Sequence, residues 1–192
     1  MKIVVTKDAV MTGLQMVQGV VNVRPTLPVL SNVLLQAQDD RLWLTTTDLE
    51  VTMRCAVEAK VGKAGATTVP AKRILSIIRE LPADAIEIDT DDKHSSSITC
   101  ASSFFKILGL PEDDFPAVPK YESGHVFTLE QRVLKEMFQK TSYAASADET
   151  RYILNGTLMS FKANKLTLVA TDGRRLALTE HELEFPKEAE VD

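Results

Sequence analysis

The stretch Leu42-Trp43-Leu44-Thr45-Thr46-Thr47-Asp48 returns 124 residues later as Leu166-Thr167-Leu168-Val169-Ala170-Thr171-Asp172. Both leucines and the Thr-Asp pair keep their places, and Leu34 falls on Leu158 under the same shift. Leucines two residues apart have the period of a β-strand with one buried face. A match at a fixed spacing therefore predicts that one folding unit occurs twice along the chain.

The residues around the first copy predict an α+β fold. Apolar residues alternate with period two in the strand-like stretches and recur every three or four positions in the helix-like ones. The resulting order, strand, helix and three strands, occurs twice within the first 110 residues. The first set is predicted at 1–6, 8–21, 31–38, 41–47 and 51–59, and the second, after a turn at 62–65, at 66–69, 71–81, 86–89, 96–101 and 104–108. Asp8 is predicted to cap the first helix and Pro70 to begin the second.

An acidic stretch with three prolines, residues 111–119, predicts a linker. Beyond it the pattern restarts, with a strand at 126–129, a helix at 130–142 and hairpin strands at 156–162 and 165–170. We therefore expect a complete domain at 1–120 and the first half of a second domain at 121–192. Half a domain exposes core surface. The chain is thus expected to associate, to be poorly ordered after about Ala177, or to be a piece of a longer chain.

Composition excludes several classes of protein. Of the 192 residues 44% are hydrophobic, and the formal net charge is −5, which argues against a surface that is basic throughout. No apolar run approaches the ~20 residues of a membrane span, and the charged N-terminus lacks a signal-peptide core, so a cytoplasmic protein is expected. Cys55 and Cys100 are predicted to be buried, reduced thiols. The three histidines are scattered, so neither a metal site nor a cofactor is predicted.

Two predicted helices carry basic faces. Opposite the isoleucines of helix 71–81 lie Lys72 and Arg79, with Arg73 beside them, and helix 130–142 presents Arg132, Lys135 and Gln139 in the same way. Residues 70–82 carry a net charge of +2 and residues 129–142 a net charge of +1, and subtracting these three charges from −5 leaves −8 on the remainder. A polar helix face is often only solvated. A basic face on an acidic body is nevertheless what sequence-independent phosphate contact requires.

Several segments resemble the beta subunit of bacterial DNA polymerase III, the replicative sliding clamp family. They occur in the family's order and cover nearly the whole chain. They are Arg24-Pro25-Thr26-Leu27-Pro28-Val29-Leu30 with Asn32 and Leu34, Thr47-Asp48-Leu49-Glu50, Val69-Pro70-Ala71-Lys72, Phe115-Pro116, Arg151-Tyr152-Ile153-Leu154-Asn155-Gly156, and Ala170-Thr171-Asp172-Gly173-Arg174-Arg175-Leu176-Ala177.

The resemblance implies a DNA-clamp fold. Each domain of this fold pairs two strand–helix–three-strand units, with antiparallel sheets outside and helices lining a DNA channel. Three domains make a chain, and two chains close into a homodimeric ring. By resemblance the third domain is absent here. The implied role is a processivity factor without catalytic activity, whose partners are double-stranded DNA and, through short clamp-binding peptides, the polymerase III alpha subunit and the clamp loader.

The same resemblance assigns three sites. Arg24, Arg151 and Tyr152 would join the helix cations at the DNA. Half of a peptide-binding pocket would be formed by Leu154, Thr171, Gly173, Arg174, Arg175 and Leu176, with Arg174 replacing the aromatic or imidazole side chain that is usual at its position. Phe105 and Ile107, on the strand at 104–108, would face the partner chain of the dimer, where an unpaired strand edge would otherwise invite aggregation.

Two other functions remain open. A small hydrolase would use Asp48 and Asp172 as paired carboxylates, although nothing in the sequence supplies its nucleophile, metal ligands or glycine-rich loop. The simpler interpretation of Asp172 is a turn, which its side chain caps and in which Gly173 takes a positive φ. The equivalent Asp48 favours this interpretation, because a repeated turn residue is more easily structural than catalytic. The remaining alternative is a clamp-like binding module that has lost the ring role.

Overall fold

The computed structural model describes residues 1–21, 27–82, 85–118, 126–186 and 189–191. The chain divides into two compact units, Met1–Pro119 (unit 1) and Lys120–Asp192 (unit 2). The elements of unit 1 are β1 (Lys2–Thr6), α1 (Lys7–Val17), β2 (Asn32–Gln38), β3 (Arg41–Thr47), β4 (Thr52–Glu58), β5 (Lys60–Lys63), β6 (Gly65–Pro70), α2 (Ala71–Glu80), β7 (Ala85–Thr90), β8 (Ser95–Cys100) and β9 (Ser103–Leu108). Those of unit 2 are α3 (Gln131–Thr141), β10 (Leu158–Lys162), β11 (Lys165–Thr171) and β12 (Leu176–Glu182).

Unit 1 has two antiparallel sheets over one core. One sheet has the order β4-β3-β2-β6 and the other the order β5-β1-β7-β8-β9. Both helices contribute to the core, α1 through Val10, Leu14 and Val17, and α2 through residues that include Ile74 and Ile78. Because the same apolar cluster takes side chains from both sheets, unit 1 is a single domain core in which each helix buries one stripe.

Local hydrogen bonds fix the helix ends, and two sequence predictions here were wrong. The N-cap of α1 is Thr6, whose side chain accepts a hydrogen bond from the Ala9 N–H at 3.3 Å, so Asp8 lies in the first turn instead of capping it. The helix ends at Val17, and a 3₁₀ turn over Gln18–Val20 replaces its predicted continuation to residue 21.

The two helices of unit 1 are tied together by Lys7. Its ammonium group donates hydrogen bonds to the carbonyls of Arg79 and Leu81 at the C-terminal end of α2, at 2.9 and 2.6 Å. A cation at this end of a helix satisfies carbonyls that have no intrahelical partner and opposes the negative end of the helix dipole.

Unit 2 repeats the first half of unit 1 at the spacing that the sequence predicted. Under the shift of 124 residues, α1 falls on α3, β3 on β11 and β4 on β12, each with identical bounds. The hairpin turns also correspond, because Asp39 and Asp40 have φ of 51° and 53°, and Ala163 and Asn164 have φ of 52° and 56°. The repeat therefore extends from sequence to backbone conformation, including turns that lack the usual glycine.

Three predicted or overlooked elements of the fold need correction. The first half of the predicted turn at 62–65 belongs to strand β5, which pairs with β1, and Gly65 already begins β6. The predicted strand at 126–129 was wrong, because these residues pair with no strand among the described residues and a strand needs hydrogen-bonded neighbours. Strand β12 was missed and runs past Ala177 to Glu182, paired along its length with β11.

The predicted linker is partly structured. A 3₁₀ turn covers Glu112–Asp114, and Phe115 is buried against Val29, Leu30 and Leu34 on unit 1. Within the part of the chain that the structure describes, no helix has the length and apolar character of a membrane-spanning segment.

Gly109 provides a test of how the two sheets of unit 1 join. A Cβ atom at Gly109 would lie 2.0 Å from the Thr68 carbonyl oxygen and 3.0 Å from that of His94, both of which are backbone atoms. We expect Gly109→Ala to lower the free energy of unfolding of unit 1 by about 3 kcal/mol or more, because the backbone must move. Urea unfolding followed by the fluorescence of Trp43, the only tryptophan, measures this.

The matched control is Gly19→Ala. No atom lies within 4 Å of the added Cβ at that position, so we expect a change within about 0.5 kcal/mol. Equal effects of the two substitutions would contradict the close approach at Gly109.

Candidate functional site

Helices α2 and α3 present the predicted cations to solvent. Lys72, Arg73 and Arg79 of α2 are exposed, and so are Arg132, Lys135 and Gln139 of α3. None of these five cations forms an ion pair with any residue that the structure describes. Their charge is therefore available to an external anion.

The two cations nearest to α1 in the sequence, Lys7 and Arg24, are not known to be free in the way that those of α2 and α3 are. Lys7 is engaged with the end of α2 and is half-buried, so it cannot reach an external phosphate without giving up those hydrogen bonds. Arg24 lies outside the described residues. The outer face of α1 carries the neutral residues Thr12 and Gln15, and neutral Gln18 follows in the 3₁₀ turn.

The segment that precedes β10 is held by Asp148. Its carboxylate accepts hydrogen bonds from the Thr150 hydroxyl at 2.6 Å and from the Thr150 N–H at 3.0 Å, and these bonds lower the pKa of Asp148. A 3₁₀ stretch, Glu149–Asn155, follows, and Arg151 lies 3.9 Å from the Asp148 carboxylate. Tyr152 is 78% exposed, so its side chain is accessible to a binding partner.

The turn between β11 and β12 shows the structural role of Asp172 in the repeated Thr-Asp pair. Asp172 Oδ1 accepts hydrogen bonds from the N–H groups of Arg174 and Arg175 at 2.9 and 3.0 Å, and Gly173 has a φ of 85°. These two backbone bonds, and then the nearby Arg175 guanidinium, lower the pKa of Asp172. The carboxylate thus holds a turn, as the simpler interpretation of the sequence proposed.

The corresponding turn in unit 1 is built in the same way. Asp48 Oδ1 accepts hydrogen bonds from Glu50 and Val51, at 3.0 and 2.7 Å, and Leu49 takes the place of the glycine with a φ of 83°. The two carboxylates of the hydrolase hypothesis are therefore both occupied by backbone N–H groups. The described residues also contain no group of three or more acidic, His or Cys side chains placed to hold a metal ion.

An apolar cleft lies beside the turn of unit 2. It has a volume of about 370 Å³ and brings together two predicted pocket residues, Leu154 and Thr171. The other lining residues were not among the predicted pocket residues, although one of them, Leu158, repeats Leu34. They are Ile153, Gly156, Thr157, Leu158 and Val169. Gly173, Arg174, Arg175 and Leu176 are exposed on the adjoining turn and strand but do not line the cleft.

Strand β9 is an edge strand. Ile107 is 1% exposed and its side chain belongs to the core of unit 1, while the place of this strand at a dimer interface stays a prediction. Phe105, two residues earlier on the same face, is 39% exposed and remains a candidate. Phe104 and Leu108 project from the opposite face, with 63% and 72% exposure. Both faces of this strand carry large apolar residues, so alternation alone could not distinguish them.

Comparison with known proteins gives consistent matches along the chain. A family model described as DNA polymerase III beta subunit, N-terminal domain, matches residues 1–119, and one described as the central domain matches residues 128–192. The beta sliding clamp of Chlamydia muridarum is 41% identical over 177 residues, which are 92% of this chain and 48% of that protein. That of Pseudomonas putida is 40% identical over 179 residues, 93% of this chain and 49% of that protein.

Solved structures agree with the sequence matches. The DNA polymerase sliding clamp of Bacillus subtilis superposes with a TM-score of 0.93 at 27% identity, over 100% of this chain and 52% of that one. The DNA polymerase III subunit beta of Pseudomonas aeruginosa gives a TM-score of 0.91 at 35% identity, with the same coverage. The chain spans about half the length of the curated relatives it matches.

The hydrogen bonds of Asp172 predict how acid affects the turn. Since its pKa in the folded state is lowered, its contribution to stability is complete above the ordinary carboxyl pKa of about 3.9 and is lost as pH falls through the lower, folded value. We expect an NMR titration of the Asp172 side chain to show a midpoint below that of the same residue in urea-unfolded chain. A folded midpoint at or above the unfolded one would contradict the role of this carboxylate in the turn.

Proposed function

Because the chain belongs to the DNA polymerase III beta subunit family, we propose that it is part of a DNA sliding clamp. In this role it is a processivity factor that surrounds duplex DNA and tethers the replicative polymerase, without an active site or cofactor of its own. The observation that carries the proposal is that both family models match in the family's order along nearly the whole chain.

The fold predicted from the sequence is confirmed at the level of its class. The chain has the α+β sliding-clamp fold, as its superposition on solved clamps with TM-scores up to 0.93 demonstrates. We further propose that residues 1–120 are a complete clamp domain and that residues 121–192 are the first half of the next one. The exact repeat of α1, β3 and β4 in unit 2 supports this division.

We propose two DNA-contacting faces, the polar face of α2 in unit 1 and the polar face of α3 in unit 2, each taken by itself. Their cations are Lys72, Arg73 and Arg79 on α2, and Arg132 and Lys135 on α3, with Gln139 beside them. Long side chains without an ion-pair partner suit phosphate contact, which positions a protein on DNA without reading its sequence. Arg151 and Tyr152 are further proposed DNA contacts in unit 2. Arg24, which lies outside the described residues, stays a predicted DNA contact.

The proposed partners of the assembled clamp bind elsewhere. The polymerase III alpha subunit and the clamp loader would insert short peptides at a pocket of which this chain supplies half. Leu154 and Thr171 would form its inner wall beside the cleft, and Gly173, Arg174, Arg175 and Leu176 its exposed rim. The homodimer would form along the edge of β9, where Phe104, Phe105 and Leu108 leave apolar surface to be covered.

A charge-reversal pair tests the DNA contact. We expect Lys72→Glu with Arg79→Glu to weaken binding of the chain to a short duplex at low salt and to reduce the slope of log K against log salt by about 2, since each lost phosphate contact removes about 0.9. Fluorescence anisotropy of a labelled duplex across a salt series measures both quantities.

The control pair is Lys60→Glu with Lys63→Glu, on exposed positions of β5, which changes the net charge by the same amount. We expect this control to leave the salt slope unchanged. If both pairs reduce the slope equally, only the overall charge matters and the helix faces are not the binding surface.

A further inference from the structure

The C-terminal end of α2 is held by a side chain from α1. Lys7 is the first residue of α1, and its ammonium nitrogen lies 2.9 Å from the carbonyl oxygen of Arg79 and 2.6 Å from that of Leu81. Arg79 belongs to the last turn of α2, and Leu81 is the residue that follows the helix. The Lys7 side chain therefore fixes the backbone that carries Arg79.

The neighbouring chain supplies little to cap this end of α2. The last four carbonyls of an α-helix have no partner within the helix. The Leu81 N–H donates to the Ile78 carbonyl at 3.4 Å, and the next residue, Pro82, has no N–H to donate. Leu81 is already extended, with a φ of −66° and a ψ of 140°, as is common before proline. Lys7 thus takes the place of a backbone cap for the carbonyls of Arg79 and Leu81.

The position of this cap matters for an anion that approaches Arg79. A helix C-terminus carries a partial negative charge of about half an elementary charge, which repels a phosphate. Arg79 lies at this end of α2, whereas Lys72 lies in the first turn, where the helix dipole attracts a phosphate. The Lys7 ammonium places a positive charge on the carbonyls that would repel one. The two ends of α2 therefore need different support before both can contact a phosphate.

We propose that Lys7 is a positioning residue for the DNA-contacting face of α2 and that it acts through Arg79. It holds the last turn of the helix and offsets the negative charge of its carbonyls, so that the exposed Arg79 guanidinium can bind a backbone phosphate of duplex DNA. Lys7 itself keeps both carbonyls and does not touch the DNA. The inference rests on the proposed contact between α2 and DNA.

A direct contact between Lys7 and a phosphate is the competing role, and the two roles differ in a double-mutant cycle. Cations that bind separate phosphates contribute additively, whereas a residue that acts through another contributes nothing once the other is removed. The direct role would also leave the Arg79 and Leu81 carbonyls without their hydrogen bonds to Lys7. The coupling between Lys7 and Arg79 therefore decides between the two roles.

The cycle is measured on the 192-residue chain with Lys7→Met, Arg79→Gln and both substitutions together. The probe is a short fluorescein-labelled duplex, whose anisotropy is followed across a salt series. We expect Arg79→Gln to weaken binding about tenfold at about 0.05 M salt and to reduce the slope of log K against log salt by about 0.9, because one phosphate contact is lost. Lys7→Met is expected to cause most of this loss, and the double variant to bind as Arg79→Gln alone does.

Two controls separate positioning from a general loss of structure or charge. Lys72→Gln removes a contact at the other end of α2, about 10 Å of helix rise from Arg79, so its loss is expected to add to that of Lys7→Met. Lys7→Arg keeps the charge and can donate to both carbonyls, so it is expected to restore most of the binding. If Lys7→Met does not fold, Lys7→Gln, which also removes the charge, completes the cycle.

Unchanged binding by Lys7→Met overturns the inference. So does a loss that adds to that of Arg79→Gln, because Lys7 is then a phosphate contact of its own. If Arg79→Gln and Lys72→Gln are themselves without effect, the proposed contact of α2 with DNA fails, and the inference fails with it. That result is distinguishable from the first two, in which the substitutions in α2 weaken binding and only the coupling to Lys7 is missing.

Discussion

Each helix of this chain must bury one apolar stripe beneath a sheet, and that requirement determines what the opposite face can do. In α2, Ile74, Leu75 and Ile78 are almost completely inaccessible to solvent. Burying three such side chains stabilises the domain by several kcal/mol, roughly 1.5–3 kcal/mol for each. This is far more than a surface charge contributes, typically less than about 1 kcal/mol. The core therefore fixes the helix orientation, and the outer face is left open to carry Lys72 and Arg79 without a stability requirement of its own.

Comparing the two copies of the repeat shows which residues the backbone conformation needs in both copies and which residues differ between them. At the Thr-Asp turn, Leu49 and Gly173 occupy the same left-handed conformation, with φ of 83° and 85°. A leucine there costs about 1–2 kcal/mol. Asp48 and Thr47 accept three backbone hydrogen bonds around Leu49, each of which contributes about 1 kcal/mol, so the turn holds despite the strain. The aspartate is thus the constant part of the turn, and glycine relieves strain without being indispensable.

Sequence patterns correctly predicted the helices and strands that depend on residues nearby in the chain. They failed where the conformation or burial of a residue depends on residues far away in the chain. The strands β3 and β11 and the helices α2 and α3 follow from alternation and amphipathic spacing. Strand β5 does not, because Lys60-Val61-Gly62-Lys63 has no strand pattern and owes its conformation to pairing with β1. Residues 126–129 show the converse: Val126, Phe127 and Thr128 are residue types that favour strands, yet no strand forms there. Among the candidate site residues, exposure of Tyr152 and of the helix cations was foreseeable, whereas burial of Ile107 depended on which face of β9 meets the core.

The acidic body and the basic helix faces are compatible because electrostatic attraction to DNA is local. At physiological ionic strength charges more than about 8 Å apart are largely screened. A phosphate near α2 therefore responds chiefly to Lys72, Arg73 and Arg79, and little to the −8 distributed over the rest of the chain. The acidic remainder instead repels a polyanion that approaches any other surface of the protein. A few exposed cations without base-reading contacts give weak, salt-sensitive attraction. Such attraction suits the proposed clamp role, because tight contacts would stop movement along DNA.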